Sequence, residues 1–411
     1  MNFALLLTFF LQGTLGTMII PRIPQLIDQI DVNFTAWGAI IGFSGLGALV
    51  GLMFANRLIV SFGSRRVLQI AAVTYALVLV PLPYLTDAWL FFLLQAATAF
   101  TGATLNVAVN AQAVALQKYL NRTVVPRFHG AWSLGAASSA AVSAYLASFM
   151  PMWLNFLVVP SVIATALFWS TSRVLTKSEI GRVNDRKNGK AIPFWKSPAQ
   201  LWIVSVGWFA GVFPEAAIID WSTVFGHKVL LLDASLSAVP YTFFVAAMII
   251  SRLSIARLSR NMHVGIISFW GGTFGAPSMA LAVIFGPLIG STDKLAGMFF
   301  TAIFLFVAGL GIGPMAPTFT AASGHIKGLS TAQGLARSSL VSSVFMMVAK
   351  VVMGAIAQNV NLTFAFMLPA AFFLLAALIS RASVSGDKSA NPVVEDAFPI
   401  TGSIAIIPAD E

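Results

Sequence analysis

Long stretches without Asp, Glu, Lys or Arg recur along the whole chain and restrict its fold more than any other feature. Each such charge at the centre of a bilayer is costly, and about 20 apolar residues in a helix cross the hydrocarbon core. Backbone groups inside lipid must bond within their own segment, so each stretch is expected to be helical. Seven stretches each hold one helix: 32–56, 67–86, 88–117, 234–251, 261–292, 295–326 and 351–380.

Other apolar segments supply the remaining predicted helices. Residues 128–172 are interrupted at Pro151, which favours a tight turn between two helices. Three further segments carry isolated charges: 2–27 with Arg22, 199–225 with Glu215 and Asp220, and 334–357 with Lys350. The sequence therefore predicts an all-α membrane protein with twelve transmembrane helices.

Composition agrees with this interpretation and excludes several functional classes. Hydrophobic residues make up 58% of the 411 residues and charged residues only 9%, whereas a soluble domain is about 25% charged. The chain has no cysteine, which removes disulfides, cysteine-ligated zinc, iron–sulfur clusters and thiol catalysis. The phosphate-binding motif GxxxxGK(S/T) is also missing, which excludes ATP-driven pumping by this chain alone. No cofactor and no metal are predicted.

Basic residues indicate which side of the membrane each loop faces. With a cytoplasmic N-terminus, 20 of the 24 Lys and Arg residues fall in predicted inner loops or in the C-terminal tail, as the positive-inside rule requires. We therefore predict a multi-pass protein of a bacterial cytoplasmic (inner) membrane with both termini in the cytoplasm. The net charge of +10 follows from this topology. A nucleic-acid partner is not expected, because the basic residues never gather on one soluble domain.

One polar segment inside the chain divides the predicted helices six and six. The first hydrophobic segment has no charged leader and no cleavage site, so it is expected to remain as an uncleaved anchor. The last thirty residues are polar and rich in Pro and Ser, which is typical of disorder. The predicted organisation is an N-terminal six-helix bundle at 1–172, a cytoplasmic linker at 173–197, a C-terminal six-helix bundle at 198–380 and a disordered cytoplasmic tail at 381–411.

Both halves place a basic loop between their second and third helices, at Arg57–Leu68 and Ser251–Met262. The two loops match at an offset of 195 residues, with Arg57 opposite Arg252, so two related halves are the simplest account. Six plus six helices, a basic middle segment and this repeated loop resemble the major facilitator superfamily. The resemblance implies two bundles around a central cavity that alternate access across the membrane. It also implies gating roles for the loop residues Gly63, Arg65, Arg66, Arg252 and Arg257.

Three stretches are similar to bacterial members of the superfamily near the fucose permeases. They are LNVAVNAQAVALQ (Leu105–Gln117), RFHGAWSLGA (Arg127–Ala136) and EAAIIDWSTVF (Glu215–Phe225). The chain departs from the family pattern at Val60, where the superfamily loop usually carries Asp. It also departs at the fourth helix, where amides stand in place of the acids that relatives carry. An amide cannot exchange a proton, so proton coupling through that helix is not expected.

The fourth predicted helix carries a polar stripe. Asn106, Asn110 and Gln117 are spaced by four and seven residues and so share one helical face. A polar stripe inside lipid must face protein or water. It is either a hydrogen-bonding wall for a sugar-like or amide-bearing substrate, or a set of interhelical hydrogen bonds worth about 0.6 kcal/mol each.

Two intramembrane charges are predicted to meet. Glu215 lies about 17 positions into the seventh helix, and Lys350 lies at nearly the same depth on the eleventh helix, counted from Gly334. Unpaired opposite charges in hydrocarbon would each be expensive, so Glu215 and Lys350 are expected to be partners or to share a wet cavity. As a proton carrier Glu215 has a difficulty, because a neighbouring lysine keeps a carboxylate ionised.

Three further residues have both a functional and a structural interpretation. Asp220 is a candidate site residue, but beside Trp221 it is also typical of the outer membrane interface. Arg22, between two prolines, either reaches the outer headgroups or binds an anionic substrate. His129 is either a gate or pH sensor, or a hydrogen-bonded histidine at the membrane interface.

These observations predict a secondary active transporter of a small polar solute, such as a sugar or similar metabolite, working as a monomer by alternating access. Protons are a candidate coupling ion, and import and export both remain open. A drug or metabolite exporter and a non-transporting receptor are the alternatives. Gly42–Gly45 reads GFSG, as in intramembrane serine proteases, but every histidine falls at a predicted helix end or loop, so no enzyme activity is expected.

Overall fold

A computed structural model describes residues 2–120, 124–176, 183–184, 193–384 and 405–406 of the chain. The fold is all-helical apart from one short antiparallel pair, in which β1 (Val183–Asn184) pairs with β2 (Ala405–Ile406). β2 lies inside the predicted tail, and the rest of that tail beyond Val384 is outside the described residues. Most of the predicted linker, 177–182 and 185–192, is outside them too.

Helices fill almost all of the described chain. In the first half they are α1 Asn2–Thr17, α2 Ile23–Gln29, α3 Phe34–Phe43, α4 Gly45–Phe62, α5 Ser64–Leu79, α6 Ala88–Leu120, α7 Val125–Ala147 and α8 Met152–Thr171. In the second half they are α9 Ala199–Lys228, α10 Val239–Leu258, α11 Val264–Gly290, α12 Lys294–Ile312, α13 Met315–Gly324, α14 Thr331–Asn359, α15 Leu362–Ala365 and α16 Met367–Val384. Short 3₁₀ turns occur at Ile20–Arg22, Leu82–Tyr84, Phe194–Lys196 and Leu236–Ala238.

The predicted all-α membrane fold is confirmed, with eleven of the twelve predicted membrane helices. Eleven helical segments of the described chain are long and apolar enough to cross a membrane, each matching a predicted helix. The twelfth is α7, which has 23 residues and is rich in Ala, Ser and Gly. Its many small and hydroxylic residues lower its hydropathy. The same residues allow α7 to pack closely on α1.

Small residues bring α1 and α7 close together. A Cβ atom added at Gly13 would clash with the backbone of Trp132, and one added at Gly135 would clash with the backbone of Phe10. Hydroxyl groups then reach across the contact: Ser139 Oγ donates to Thr14 O at 2.8 Å, Ser143 Oγ donates to Met18 O at 2.6 Å, and Thr17 Oγ1 donates to Ala136 O at 2.9 Å. Such small and hydroxylic contacts are how helices associate in lipid, where apolar burial gives little drive.

Four of the membrane segments are broken helices, and the last of the chain is interrupted at Phe366, between α15 and α16. The first bends at the 3₁₀ turn that contains Pro21, because proline removes a backbone donor. The second is interrupted at Ser44, between α3 and α4. The tenth is interrupted at Gly313 and Pro314, between α12 and α13, as expected for a Gly- and Pro-rich segment.

The chain forms two compact units. One comprises Met1–Val32, Phe43–Arg186 and Ile404–Glu411, and the other comprises Asn33–Gly42 and Lys187–Ser403. This division differs from the predicted one, because β2, from the predicted tail, belongs to the first unit and most of α3 belongs to the second. α3 packs on α14 there: Cβ atoms added at Gly38 would meet Lys350 O at 2.7 Å and the Gly354 Cα at 2.9 Å.

Candidate functional site

Two ion pairs lie within the apolar helices of the second unit. The first joins α9 to α10, where an Arg252 guanidinium nitrogen donates to Glu215 Oε2 at 2.8 Å. The Arg252 side chain is 26% exposed and that of Glu215 is 17% exposed. Charge-assisted bonds of this length are among the stronger hydrogen bonds in proteins. Each charge is therefore balanced by its partner, and both side chains stay partly exposed.

The depths of these two residues along their helices agree. Glu215 precedes Lys228, the last residue of α9, by 13 residues, and Arg252 follows Val239, the first residue of α10, by 13 residues. At 1.5 Å per residue, each lies about 20 Å from the joined ends of the two helices. Successive helices α9 and α10 run in opposite directions, so the side chains meet well inside both spans.

The second ion pair joins α9 to α14. Lys350 Nζ lies 2.7 Å from Asp220 Oδ2, and the two side chains are 19% and 14% exposed. Asp220 lies 8 residues before the end of α9, and Lys350 lies 9 residues before the end of α14. Both are thus about 12–14 Å from the same ends of their helices. Placing Asp220 at the membrane interface, the structural interpretation of that residue, does not fit this buried pairing.

Glu215 and Lys350 were expected to be partners or to share a wet cavity. The direct pairing is wrong, while the shared cavity stays a prediction. Their partners are Arg252 and Asp220, respectively. The depth of Lys350 was counted from Gly334, whereas α14 begins at Thr331, so the lysine lies about 4.5 Å deeper than expected. Lys350 is thereby brought to the level of Asp220, while Arg252 provides a closer cation for Glu215.

Arg252 and Arg257 were predicted to lie in a cytoplasmic loop. The loop assignment is wrong, while their cytoplasmic side stays a prediction. Both belong to α10, which continues to Leu258. The charge-free stretch ends at Ser251, but apolar residues at helical spacing continue through Ile255 and keep Arg252 inside the candidate span. That continued periodicity was the sequence signal for an arginine within the helix. Arg257 lies in the last turn of α10 and is exposed.

The three residues of the predicted polar stripe lie on α6, the fourth membrane helix, but they have different partners. The Asn110 amide donates to Asn106 O at 2.8 Å and to Asn106 Oδ1 at 3.1 Å, and Asn106 is exposed. Gln117 Oε1 instead accepts from the backbone N–H groups of Val124 and Val125 at 3.1 and 3.4 Å. Gln117 therefore holds the beginning of α7, and the structure joins only Asn106 and Asn110 directly.

Gln112 is a buried amide of α6 that sequence reasoning missed. Its Nε2 donates to Ser64 Oγ at 3.0 Å and to Leu175 O at 2.9 Å. It thus links α6 to the start of α5 and to the chain after α8. The residue lies between Asn110 and Gln117 in the sequence but off their common face, which is why a search along one stripe did not include it.

Arg22 occupies neither of its two predicted environments. The side chain is only 1% exposed, and its guanidinium donates to Gln25 Oε1 at 2.9 Å, Met150 O at 2.6 Å and Leu146 O at 3.4 Å. Leu146 lies in the last turn of α7 and Met150 lies three residues beyond its end at Ala147, where the helix terminus carries partial negative charge. Arg22 therefore caps α7 and does not reach toward headgroups.

The remaining predicted site residues lie in the first unit. His129 packs edge-on against Phe9, with ring centroids 5.5 Å apart. Gly63 adopts φ 83° between α4 and α5, a conformation that side-chain-bearing residues rarely adopt. An Arg65 guanidinium nitrogen donates to Ser172 O, and Arg66 is exposed. The loop predicted around Gly63 is therefore reduced to a single residue between two helices.

Twelve membrane helices with paired charges at depth define a multi-pass membrane protein of the carrier type. Residues 5–337 match the family model described as Major Facilitator Superfamily. The chain belongs to this superfamily and is a membrane transporter. Among the described residues, no group of three or more His, Asp or Glu side chains is arranged to hold a metal ion.

Known proteins of similar sequence or structure agree with this assignment. An uncharacterised transporter of Sinorhizobium fredii is 28% identical over 293 residues, covering 68% of this chain and 71% of the relative. The fold is similar to that of a variant of the nucleoside transporter NupG, with a TM-score of 0.74 at 14% identity, covering 93% of this chain and 99% of the other. It is also similar to a D-xylose-proton symporter, with a TM-score of 0.69 at 13% identity and coverage of 92% and 96%.

Proposed function

We propose that the protein carries a small polar solute, such as a sugar or similar metabolite, across a bacterial inner membrane by alternating access. The observation that carries the proposal is the pair of ion pairs on α9, Glu215 with Arg252 and Asp220 with Lys350. They provide charged hydrogen-bonding groups at two levels of an otherwise apolar helix. A polar solute that has left water needs such groups.

Folding alone does not account for these four charges. Replacing a buried ion pair by apolar residues of similar volume is often neutral or stabilising, while charges inside a membrane are rare and typically mark substrate or ion pathways. Four charges on three helices of one unit therefore favour a transport role over a scaffold role. A polar solute can provide new hydrogen-bonding partners for these charges, whereas an apolar solute cannot. The four charges therefore also favour a polar solute.

Asn106 and Asn110 are the second set of polar residues that we propose for binding the solute. The Asn106 side chain is exposed and is held by Asn110, which leaves amide hydrogen-bonding capacity on Asn106 for a solute. Amides recognise hydroxyl and amide groups without requiring a charged ligand. The solutes that name the two structural neighbours, nucleosides and D-xylose, are polar as well. The similarity of three stretches to the fucose permeases points in the same direction.

Protons are the proposed coupling ion, with the carboxylates of α9 as carriers. Exchange of a proton at Glu215 or Asp220 would require its ion pair to open first, because the cation occupies the carboxylate oxygen that would take the proton. Substrate binding beside the pair would provide a competing partner for Arg252 or Lys350. Coupling in this form predicts that uptake and proton movement are lost together when either carboxylate becomes an amide.

A ligand screen followed by transport assays tests the proposal. Purified full-length protein is heated in detergent with sugars, nucleosides, amino acids and amphipathic drugs, because a ligand of the folded state raises its melting temperature. Hits are then assayed for uptake into proteoliposomes with and without an inward proton gradient. Stabilisation and gradient-driven uptake of a polar solute are expected.

Three results would contradict the proposal in different ways. Stabilisation only by amphipathic drugs, with accumulation in inverted vesicles, would favour an exporter. Specific binding without solute flux in either direction would favour a receptor. Uptake that does not respond to the proton gradient would refute proton coupling while leaving polar-solute transport intact.

A further inference from the structure

A shallow groove on α8 ends at an arginine. The groove is lined by Val162, Thr165, Ala166 and Trp169. These positions are spaced three, one and three residues apart, so they form one stripe of the helix. Arg173 follows Trp169 by four residues and continues the stripe just beyond the last residue of α8, Thr171. The surface therefore combines an apolar strip with a cation at one end.

Arg173 is held in place at this end of the groove. Its guanidinium carbon lies 3.9 Å from the centroid of the Trp169 ring, and its Nη1 donates to Trp169 O at 3.4 Å. A guanidinium stacked on an aromatic face keeps most of its N–H groups available at the edges. The exposed Arg173 side chain can therefore donate to an anion while its plane rests on the indole.

A second arginine is attached to the same end of α8. Arg65, at the beginning of α5, donates one guanidinium nitrogen to the carbonyl of Ser172, the residue next to Arg173. Arg66 is exposed beside it in the sequence. Two guanidinium groups are thus anchored to backbone carbonyls three residues apart, those of Ser172 and Trp169. Each guanidinium has five N–H donors, more than these bonds use.

The described carboxylates of this unit lie away from its arginine end. Among the described residues of the first unit, the carboxylates are Asp28, Asp31 and Asp87. Asp28 and Asp31 lie at or beyond the end of α2, and Asp87 precedes α6, far along the chain from the beginning of α5. Within the described part of this unit, the arginine end is therefore cationic without a neighbouring acid.

We propose that this surface binds an anionic phospholipid, with its phosphate between Arg65 and Arg173 and an acyl chain along the stripe from Trp169 to Val162. Guanidinium groups match phosphate geometry by paired N–H donors. Basic sites at helix ends bind anionic headgroups in other membrane proteins, and each nearby Arg or Lys contributes measurably to that binding. The groove also provides an apolar strip that begins at the arginines and runs into the membrane span. A free phosphate would not use this strip.

Thermal unfolding of the purified full-length protein tests the proposal. Phosphatidylglycerol is expected to raise the melting temperature more than phosphatidylcholine with the same acyl chains. Glycerol 3-phosphate, which has no acyl chain, is expected to give no shift. Arg65→Gln and Arg173→Gln should each weaken the apparent affinity for phosphatidylglycerol about fivefold. Arg381→Gln is the matched control, because Arg381 stacks on Phe269 at 4.7 Å in the second unit.

A groove-filling variant separates the acyl chain from the headgroup. Ala166→Phe places a ring in the groove and leaves both arginines unchanged, and it should reduce the response to phosphatidylglycerol. Equal stabilisation by the two lipids, or an unchanged response in Arg173→Gln and Ala166→Phe together, would overturn the proposal. A response to glycerol 3-phosphate equal to that of the lipid would assign the site to free phosphate and would overturn it as well.

If an arginine variant fails to fold, the lipid site can still be tested on the wild-type protein. Phosphatidylglycerol with a photoreactive acyl chain is crosslinked to the wild-type protein, and the labelled peptides are mapped by mass spectrometry. Labelling should concentrate on α8, at residues 152–171. Labelling spread evenly over all membrane helices, or confined to other helices, would rule out a specific site on this surface.

Discussion

Arg252 of α10 and Glu215 of α9 are 37 residues apart in the chain and contact each other at 2.8 Å inside the membrane spans. Each residue supplies the charge that the other requires at that depth. Removing one partner leaves the other uncompensated in a poor solvent for charge, whereas removing both leaves no unpaired charge. Single and double variants of this pair can therefore distinguish effects on stability from effects on transport.

Glu215→Gln and Arg252→Gln are each expected to lower the stability of the folded protein by about 2 kcal/mol or more, because each leaves a buried charge without its partner. The double variant should recover most of this loss. If the pair serves transport, the double variant remains inactive despite its recovered stability. Melting temperature in detergent and solute uptake in proteoliposomes provide the two measurements. Full uptake by the stable double variant would show that the pair is structural only.

Lys350 is expected to couple energetically to Asp220 and not to Glu215. In a double-mutant cycle, Lys350→Gln combined with Asp220→Asn should be non-additive by about 0.5–3 kcal/mol, as for residues in direct contact. Lys350→Gln combined with Glu215→Gln should be additive within about 0.5 kcal/mol, since those residues pair with other partners. Unfolding free energies of the single and double variants measure both terms. A larger coupling with Glu215 would contradict the observed pairing.

Arg22 is expected to serve stability and not substrate binding. Arg22→Met retains apolar volume but removes the donors to Leu146 O and Met150 O, and it should destabilise the protein by about 1–3 kcal/mol. Arg22→Lys should recover part of this loss, because an ammonium group also donates to carbonyls but lacks the planar fork. The apparent KM of the folded fraction should stay unchanged in both variants. A large increase in KM with normal melting temperature would instead indicate contact with substrate.

The architecture could be predicted from the sequence because lipid imposes a simple rule. Charge-free runs of about 20 residues in lipid must be helices, and this rule located nine of the predicted segments, including α7 with its many Ser and Gly residues. The other three are apolar segments with isolated charges. The breaks near Pro21 and Pro314 were predictable from the same chemistry. These features depend only on local sequence and on the solvent.

The ion-pair partners could not be predicted in the same way. Pairing depends on where each helix begins and on how far it is rotated, and a shift of three residues at the start of α14 changed the level of Lys350. Arg252 was assigned to a loop because a charge was taken to end a span, although a partner on another helix allows the span to continue. Likewise, the role of Gln117 as a cap for α7 depends on a contact between two helix ends that no residue pattern indicates.

The contact between α3 and α14 depends on glycine and provides the last prediction. A Cβ atom at Gly354 would lie 2.5 Å from Phe34 O and 2.9 Å from the Gly38 Cα, both of them backbone atoms that cannot rotate away. Gly354→Ala should therefore push α3 from α14 and destabilise the second unit by about 1–3 kcal/mol. Local separation should also weaken the bond from the Phe34 N–H to Gln358 Oε1, which is 3.0 Å long.

Hydrogen–deuterium exchange and thermal unfolding together measure this effect. Peptides covering residues 33–43 should exchange faster in Gly354→Ala than in the wild type, while peptides from α7 should not change. Gly130→Ala is the matched control, since a Cβ atom there meets nothing within 4 Å and alanine favours helix by about 1 kcal/mol. Equal exchange of α3 in both variants, with no loss of stability in Gly354→Ala, would show that the two helices do not depend on this close approach.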